Sequence, residues 1–162
     1  ESLSAIIQEV DFIIALMARD ANVRVVYDLF KGDVTVMAER IQIQQLVVNL
    51  ARNAIEAVTK YPNRQLNIST RLDSGHQIVT TVEDSGPGID ASVADRLFQP
   101  LASTKPEGMG LGLSISSAIV ENHRGRIWAE PSRLGGAAFC FVLARAGDNG
   151  DGSGRADGVR RR

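Results

Sequence analysis

Apolar positions along this chain change period several times, and each change marks an element. From Arg40 to Lys60, Ile43, Leu46, Val47, Leu50, Ala54 and Val58 recur at helical spacing, which predicts an amphipathic helix that Pro62-Asn63 ends. A second helical face, Ile6, Ile7, Val10, Ile13, Ile14 and Met17, predicts a helix from Ser2 to Ala18. Strand patterns lie at Val23 to Leu29 and Val34 to Met37. Two more, Leu66 to Leu72 and Gln77 to Glu83, flank Asp73-Ser74-Gly75 as a hairpin would. Ala91 to Phe98 reads as a short helix and Leu111 to Asn122 as a longer one. Arg126 to Ala129 and Ala137 to Leu143 read as the last strands, joined through Arg133-Leu134-Gly135-Gly136. Helices and strands that cluster without strict alternation predict an α+β fold. We expect a two-layer α/β sandwich, with a mixed sheet of about five strands covered on one face by about three helices.

The chain has 162 residues, enough for one domain with one sizeable core. Its formal net charge of −1 gives no electrostatic reason to expect nucleic acid. No apolar run is long enough for a membrane span, and the acidic start ESLSAIIQEVDFIIAL does not look like a signal peptide. The single cysteine, Cys140, sits in the apolar run Ala138 to Val142 and reads as core, so a reducing cytoplasm is expected. From Gly147 to Arg162 the chain is Gly-, Asp- and Arg-rich with almost no apolar residue, which predicts disorder; Arg160-Arg161-Arg162 reads as a solvated end.

The chemistry concentrates in Asp84-Ser85-Gly86-Pro87-Gly88-Ile89 and in the stretch KPEGMGLG from Lys105 to Gly112. Glycine reaches backbone angles closed to other residues and lets N–H groups approach a ligand, and phosphate rewards both. The second glycine cluster opens a predicted helix, so a polyphosphate there meets unpaired N–H donors and the positive end of a dipole, with Lys105 as a mobile cation. Asp84 ends an alternating run just before a tight turn, and its acceptor-only carboxylate suits an exocyclic amine such as that of adenine. On the Arg40–Lys60 helix, Asn49, Asn53 and Glu56 share one stripe at the border of the apolar face. Mid-helix asparagines compete with the backbone. Read alone, the stripe is either a polar edge bonded to loops or a set of amide oxygens suited to magnesium.

Four motifs in order resemble the ATP-binding catalytic domain of sensor histidine kinases, in the superfamily that also holds DNA gyrase, MutL-type ATPases and the large heat-shock chaperones (the GHKL or Bergerat fold). QLVVNLARNAIEAV is similar to the N box, DSGPGI to the first glycine box, LFQPLASTK to the phenylalanine box and GMGLGLS to the second glycine box. The resemblance spans Val23 to Leu143, and its wording is nearest to FixL-like, PAS-linked kinases. It implies binding of ATP with Mg2+, Asn53 as metal ligand and Asn49 supporting metal or phosphates. Asp84 would read the adenine amine, Gly86 and Gly88 would shape the turn beneath the base, and Ile89 would pack against it. Phe98 would anchor the near end of the lid, Lys105 would reach the terminal phosphates, and Gly108, Gly110 and Gly112 would permit lid closure over them; Thr104 and Leu111 count among the nucleotide-binding positions, while Leu111 and Leu113 also read as core on the buried side of a helix. Asn49 and Lys105 carry the catalytic part of this expectation.

The superfamily's hydrolases typically have glutamate at the place of Asn49, and an amide cannot act as a general base at neutral pH. The resemblance therefore implies phosphoryl transfer to an external histidine, on a dimerisation hairpin not present in this chain, with a response regulator downstream. Residues 1–20 would be a helical lead-in from that hairpin, 21–146 the catalytic domain and 147–162 the tail, the fragment being monomeric. Neither histidine has an acceptor's setting: His76 sits in a hairpin turn, and His123 reads as a cation at a helix C-terminus. Arg124 stands where relatives commonly have glycine. Alternatives are an ATPase or serine-protein kinase of the same superfamily, or a nucleotide-binding module without catalysis.

Overall fold

The computed structural model describes residues 1–32, 34–74, 77–99 and 109–147, with side chains from residue 112 onward in the last stretch. Among the described residues, four α-helices and five strands follow the order α1 (Leu3–Glu9), α2 (Asp11–Asp20), β1 (Arg24–Asp28), α3 (Arg40–Val58), β2 (Gln65–Leu72), β3 (Ile78–Asp84), α4 (Met109–Asn122), β4 (Arg126–Pro131) and β5 (Ala137–Val142). The strands form one mixed sheet in the order β1-β2-β3-β5-β4, in which only the β1–β2 pair is parallel. The predicted sandwich is therefore present.

Alternation along the strands sorts side chains between two faces. Leu66, Ile68, Ile78, Val82, Phe139 and Phe141 join the main core with Ile6 and Ile14 of the first two helices and Ile43, Leu46, Leu50 and Ala54 of α3. On the opposite face Val79, Ala138, Cys140 and Val142 form a smaller cluster against Trp128. Cys140 is fully buried, as expected of a core residue, and burial pushes its thiol up to about 11.

The leading helix is two helices. Val10 (φ −96°, ψ 0°) closes α1 with its N–H on Ile7 O (3.3 Å) and opens α2 as its N-cap. The break turns Ile13, predicted to be buried, outward to 48% exposure, while Ile14 and Ala18 take the core positions. The expected strand Val34–Met37 reduces to two single bridges, Ser2 with Thr35 and Val36 with Arg145. The expected helix Ala91–Phe98 is one 3-10 turn, Ala94–Arg96. Asp90 takes the Ser92 N–H on its side chain (2.9 Å) and the Val93 N–H on its carbonyl (3.1 Å), which favours i−3 bonds over an α-helical ladder. Both α3 and α4 match expectation to within two residues. The composition-based reading of residues 148–162, and that of His76, fall outside the described residues.

The C-terminus of α4 settles the question raised by Arg124. Arg124 N–H bonds Glu121 O (2.9 Å) and Gly125 N–H bonds Val120 O (2.9 Å), the paired closure of a Schellman motif. Arg124 occupies the left-handed position of that motif, at φ 55°, where a Cβ is unfavourable. Gly125 has no such freedom, because a Cβ there would lie 2.2 Å from Val142 O. We expect Arg124→Gly to raise stability by about 0.5 to 1 kcal/mol, the relief of that strain less the added freedom of the unfolded chain. Urea unfolding with an unchanged slope and a higher midpoint is the measurement; an unchanged or lower midpoint would contradict it.

Candidate functional site

β3 is a central strand paired on both sides, and its last residue, Asp84, is only 2% exposed. The chain turns sharply after it, and Asp84 Oδ1 accepts the N–H groups of Gly86 (2.8 Å) and, from β5, of Ala137 (3.4 Å). Ser85 holds the turn from outside: its Oγ donates to Asn63 O (3.0 Å) and accepts from Gln65 N–H (2.9 Å). Gly86 is required by proximity, since a Cβ there would sit 2.9 Å from both Ala57 O on α3 and Asp84 Oδ1. Gly88 is required by conformation, at φ 83°. Ile89 packs, half-buried, against the main core. Phe98 meets Phe139 of β5 edge to face, with ring centroids 6.3 Å apart.

Gly136 belongs to this site and was not foreseen. Its N–H bonds Asp84 O (3.2 Å), and a Cβ on it would lie 2.1 Å from Asp84 Oδ1 and 2.6 Å from Gly86 N. In sequence Gly135-Gly136 is merely a turn between strands; the carboxylate that demands the missing side chain lies far upstream. A cavity of about 670 Å³ opens beside this turn, lined by Gly88, Ile89, Phe98, Ile127, Ala129 and Gly136 among others. That volume is in the usual range for small-molecule sites, and Gly88, Ile89 and Phe98 are the predicted residues that line it.

Asn49 and Asn53 are half-buried on successive turns of α3. Their relation to α4 follows from a contact at the other end of the two helices. His123 Nδ1 lies 2.7 Å from Ile119 O, and His123 Nε2 lies 3.0 Å from the N–H of Glu39, the N-cap of α3. A carbonyl only accepts and an N–H only donates, so Nδ1 carries the proton and Nε2 is bare. His123 is thus a neutral pin, and the expectation of a dipole-compensating cation is corrected, because a cation has no lone pair for Glu39. The pin joins the end of α4 to the start of α3, so the two packed helices run antiparallel. Helices rise about 1.5 Å per residue, so equal steps from the pin bring Gly112 level with Leu50, between Asn49 and Asn53. The first turn of α4 is therefore level with the part of α3 that carries Asn49 and Asn53.

Gly110 and Leu111 lie in the first turn of α4, and a Cβ at Gly112 would meet nothing within 4 Å. Thr104, Lys105 and Gly108 fall outside the described residues. Among the described residues no group of three His, Cys, Asp or Glu side chains is placed to hold a metal ion. The donors present still fit a nucleotide with magnesium: a cradle at Gly86 and Gly136 that a Cβ would fill, a carboxylate fixed inside it, and amide oxygens level with a helix N-terminus. Magnesium commonly keeps waters and is carried by substrate phosphates, which leaves few protein ligands to find.

The family of histidine kinase-, DNA gyrase B-, and HSP90-like ATPases matches residues 38–147. The chain is 43% identical to the sensor protein FixL of Bradyrhizobium diazoefficiens, over 92% of this chain and 30% of that protein. It is 41% identical to the C4-dicarboxylate transport sensor protein DctS of Rhodobacter capsulatus, over 87% of this chain and 22% of that one. The chain thus spans under a third of the length of either relative. Among solved structures it resembles the catalytic domain of histidine kinase ThkA in a nucleotide-free form, with a TM-score of 0.78 and 33% identity over 90% of this chain and 93% of that one. It is also similar to ThkA in complex with the response regulator TrrA, with a TM-score of 0.75 and 31% identity over 90% of this chain and 41% of that one.

The two small residues of the β4–β5 turn give a direct test of this geometry. Gly136→Ala must displace Asp84 or the turn, and we expect it to cost about 2 to 3 kcal/mol, as overpacking does. Gly135→Ala meets no neighbour within 4 Å but inherits φ 98°. It should cost about 1 kcal/mol. Urea midpoints in the reverse order would mean that Gly136 does not press on Asp84.

Proposed function

This chain belongs to the histidine kinase-, DNA gyrase B-, and HSP90-like ATPase family, among the catalytic domains of histidine kinases, and we propose that it binds MgATP and donates the γ-phosphate to a histidine on a dimerisation hairpin outside this chain. The observation that carries this reading is the buried Asp84 carboxylate, held by Gly86 and Ala137 in a cradle too tight for any side chain at Gly136.

In this reading Asp84 accepts the adenine amine, while Gly86, Gly88 and Ile89 shape the floor and wall around the base. Asn53 supplies an amide oxygen to magnesium, with Asn49 one turn away supporting metal or phosphates. The ion neutralises phosphate charge when bound. The α4 N-terminus, through Gly110, Leu111 and Gly112, stabilises the polyphosphate by its dipole and its unpaired N–H groups. Phe98, braced on Phe139, anchors the segment that leads to Thr104, Lys105 and Gly108, and Lys105 reaches the terminal phosphates. Asn49 offers no base to activate water, which favours transfer to a nucleophile supplied from outside over hydrolysis.

The same reading makes a response regulator the downstream partner, makes residues 1–20 the lead-in from the hairpin, and places the domain in the cytoplasm. Among the described residues no helix is long and apolar enough to cross a membrane.

Calorimetric titration with a non-hydrolysable ATP analogue tests the pocket. Asp84→Asn should weaken binding at least about tenfold, the loss of a hydrogen bond to a charged group; unchanged affinity would remove Asp84 from the base. Asn53→Ala should lose more affinity in magnesium than in EDTA, and equal losses would exclude it from the metal's coordination. Transfer itself is tested by supplying a histidine-bearing hairpin and ATP: the expected product is an acid-labile phosphate on the hairpin, and an acid-stable one would refute the assignment.

A further inference from the structure

Successive residues of a strand face opposite sides of its sheet, and Glu83 precedes Asp84 at the end of β3. Glu83 points away from the main core yet is only 3% exposed. A buried carboxylate needs partners, and both of its oxygens have one. Ser132 Oγ donates to Oε2 (3.0 Å), and Arg133 Nη2 donates to Oε1 (2.9 Å). Ser132 Oγ in turn accepts the N–H of Leu134 (2.9 Å), and the Ser132 N–H bonds Gly136 O (2.8 Å). The turn from Ser132 to Gly136 is therefore cross-tied within itself and anchored on Glu83. Its far end delivers Gly136 and Ala137, whose N–H groups contact Asp84 O and Asp84 Oδ1. One end of β3 thus grips the same turn from both faces of the sheet, by Glu83 on one and by Asp84 on the other.

We infer that Glu83 is a positioning residue for nucleotide recognition: through Ser132 and Arg133 it fixes the β4–β5 turn that packs Gly136 and Ala137 against the Asp84 carboxylate. The inference rests on the reading of Asp84 as the group that meets the base. Glu83 need not touch nucleotide. It sets where Ala137 N–H stands and holds the Gly136 backbone so close to Asp84 that the carboxylate oxygen takes the space a Cβ would fill, which fixes the direction of the carboxylate. Arg133 is 81% exposed, so its part is to neutralise and orient Glu83 from the solvent side.

The test uses Glu83→Ala and Glu83→Gln in the whole chain, read by amide hydrogen exchange without nucleotide and by calorimetry with a non-hydrolysable ATP analogue in magnesium. Glu83→Ala should speed exchange at Gly136 and Ala137 about tenfold or more while amides of α1 and α2 keep their rates, and should weaken the analogue about tenfold. Glu83→Gln keeps an acceptor for Arg133 and a polar partner for Ser132, and should return both readings to within about threefold of the parent chain. Faster exchange with unchanged affinity would show a latch that does not position the site, and unchanged exchange would show no latch; either overturns the inference. Should Glu83→Ala not fold, Ser132→Ala carries the same two readouts, since it removes one donor to Glu83 and the acceptor for Leu134. Asp84→Asn separates the two layers. If it weakens binding and Glu83→Ala does not, this inference alone fails; if neither does, the assignment of Asp84 fails with it.

Discussion

The strand β3 is the constraint on which the rest of the structure hangs. It lies between β2 and β5, carries Ile78 and Val82 into the main core, and presents Val79 to the smaller cluster on the other face. A strand clamped in this way cannot slip by one residue without exchanging its two sets of side chains, so its register is strongly specified. That certainty extends to its last residues. Asp84 must face the helices and Glu83 must face away, and the turn that follows must pass within van der Waals reach of α3 at Ala57 O. A carboxylate that needs a fixed direction is therefore placed at the end of the most constrained element available, and its direction follows from core packing.

A second constraint acts at long range. α3 contributes Asn49 and Asn53, and α4 contributes an N-terminus, but neither helix fixes the offset between them by sequence alone. Apolar packing tolerates axial sliding better than a hydrogen bond does, because it is not directional. The pin from Glu39 N–H to His123 Nε2 supplies a directional contact at the end of the helix pair remote from the site. It also satisfies one orphan donor at the start of α3, where Glu39 makes no side-chain cap of its own. The turn beyond the pin depends on Gly125, whose hydrogen takes the space beside Val142 O. The closing turn of α4 is thereby tied to β5 as well as to α3.

What was legible in the sequence was whatever depends on local period. α3 shows its apolar face and, to within two residues, its end ahead of Pro62, because helical spacing and a breaker are both local signals. β2, β3 and β5 show theirs for the same reason. Val34 to Met37 has the composition of a strand, but its partners are Glu1, Ser2, Ala144 and Arg145, near the two ends of the described chain, and these provide bridges without a ladder. Ala91 to Phe98 has apolar residues at plausible spacing, yet Asp90 diverts the first N–H groups to itself. The site divides along the same line. Asp84, Gly86 and Gly88 announce themselves as a carboxylate before a glycine turn. Gly136, Glu83 and the neutral form of His123 do not, since each is defined by an atom on a distant element: Asp84 Oδ1, Ser132 Oγ and Glu39 N.

The chemistry of the asparagine stripe bears on what this domain does with a bound nucleotide. Hydrolysis needs a base within reach of a water, and in the proposed site α3 offers only an amide at Asn49. Phosphoryl transfer asks less of the protein, since position and charge stabilisation dominate and the nucleophile brings its own lone pair. A neutral imidazole arriving from another element meets that description, because it attacks without first losing a proton. The described residues hold one histidine, His123, and both of its ring nitrogens are engaged at the far end of the helix pair. His123 is thereby occupied as a structural pin, in keeping with the proposal that the acceptor is presented by a partner.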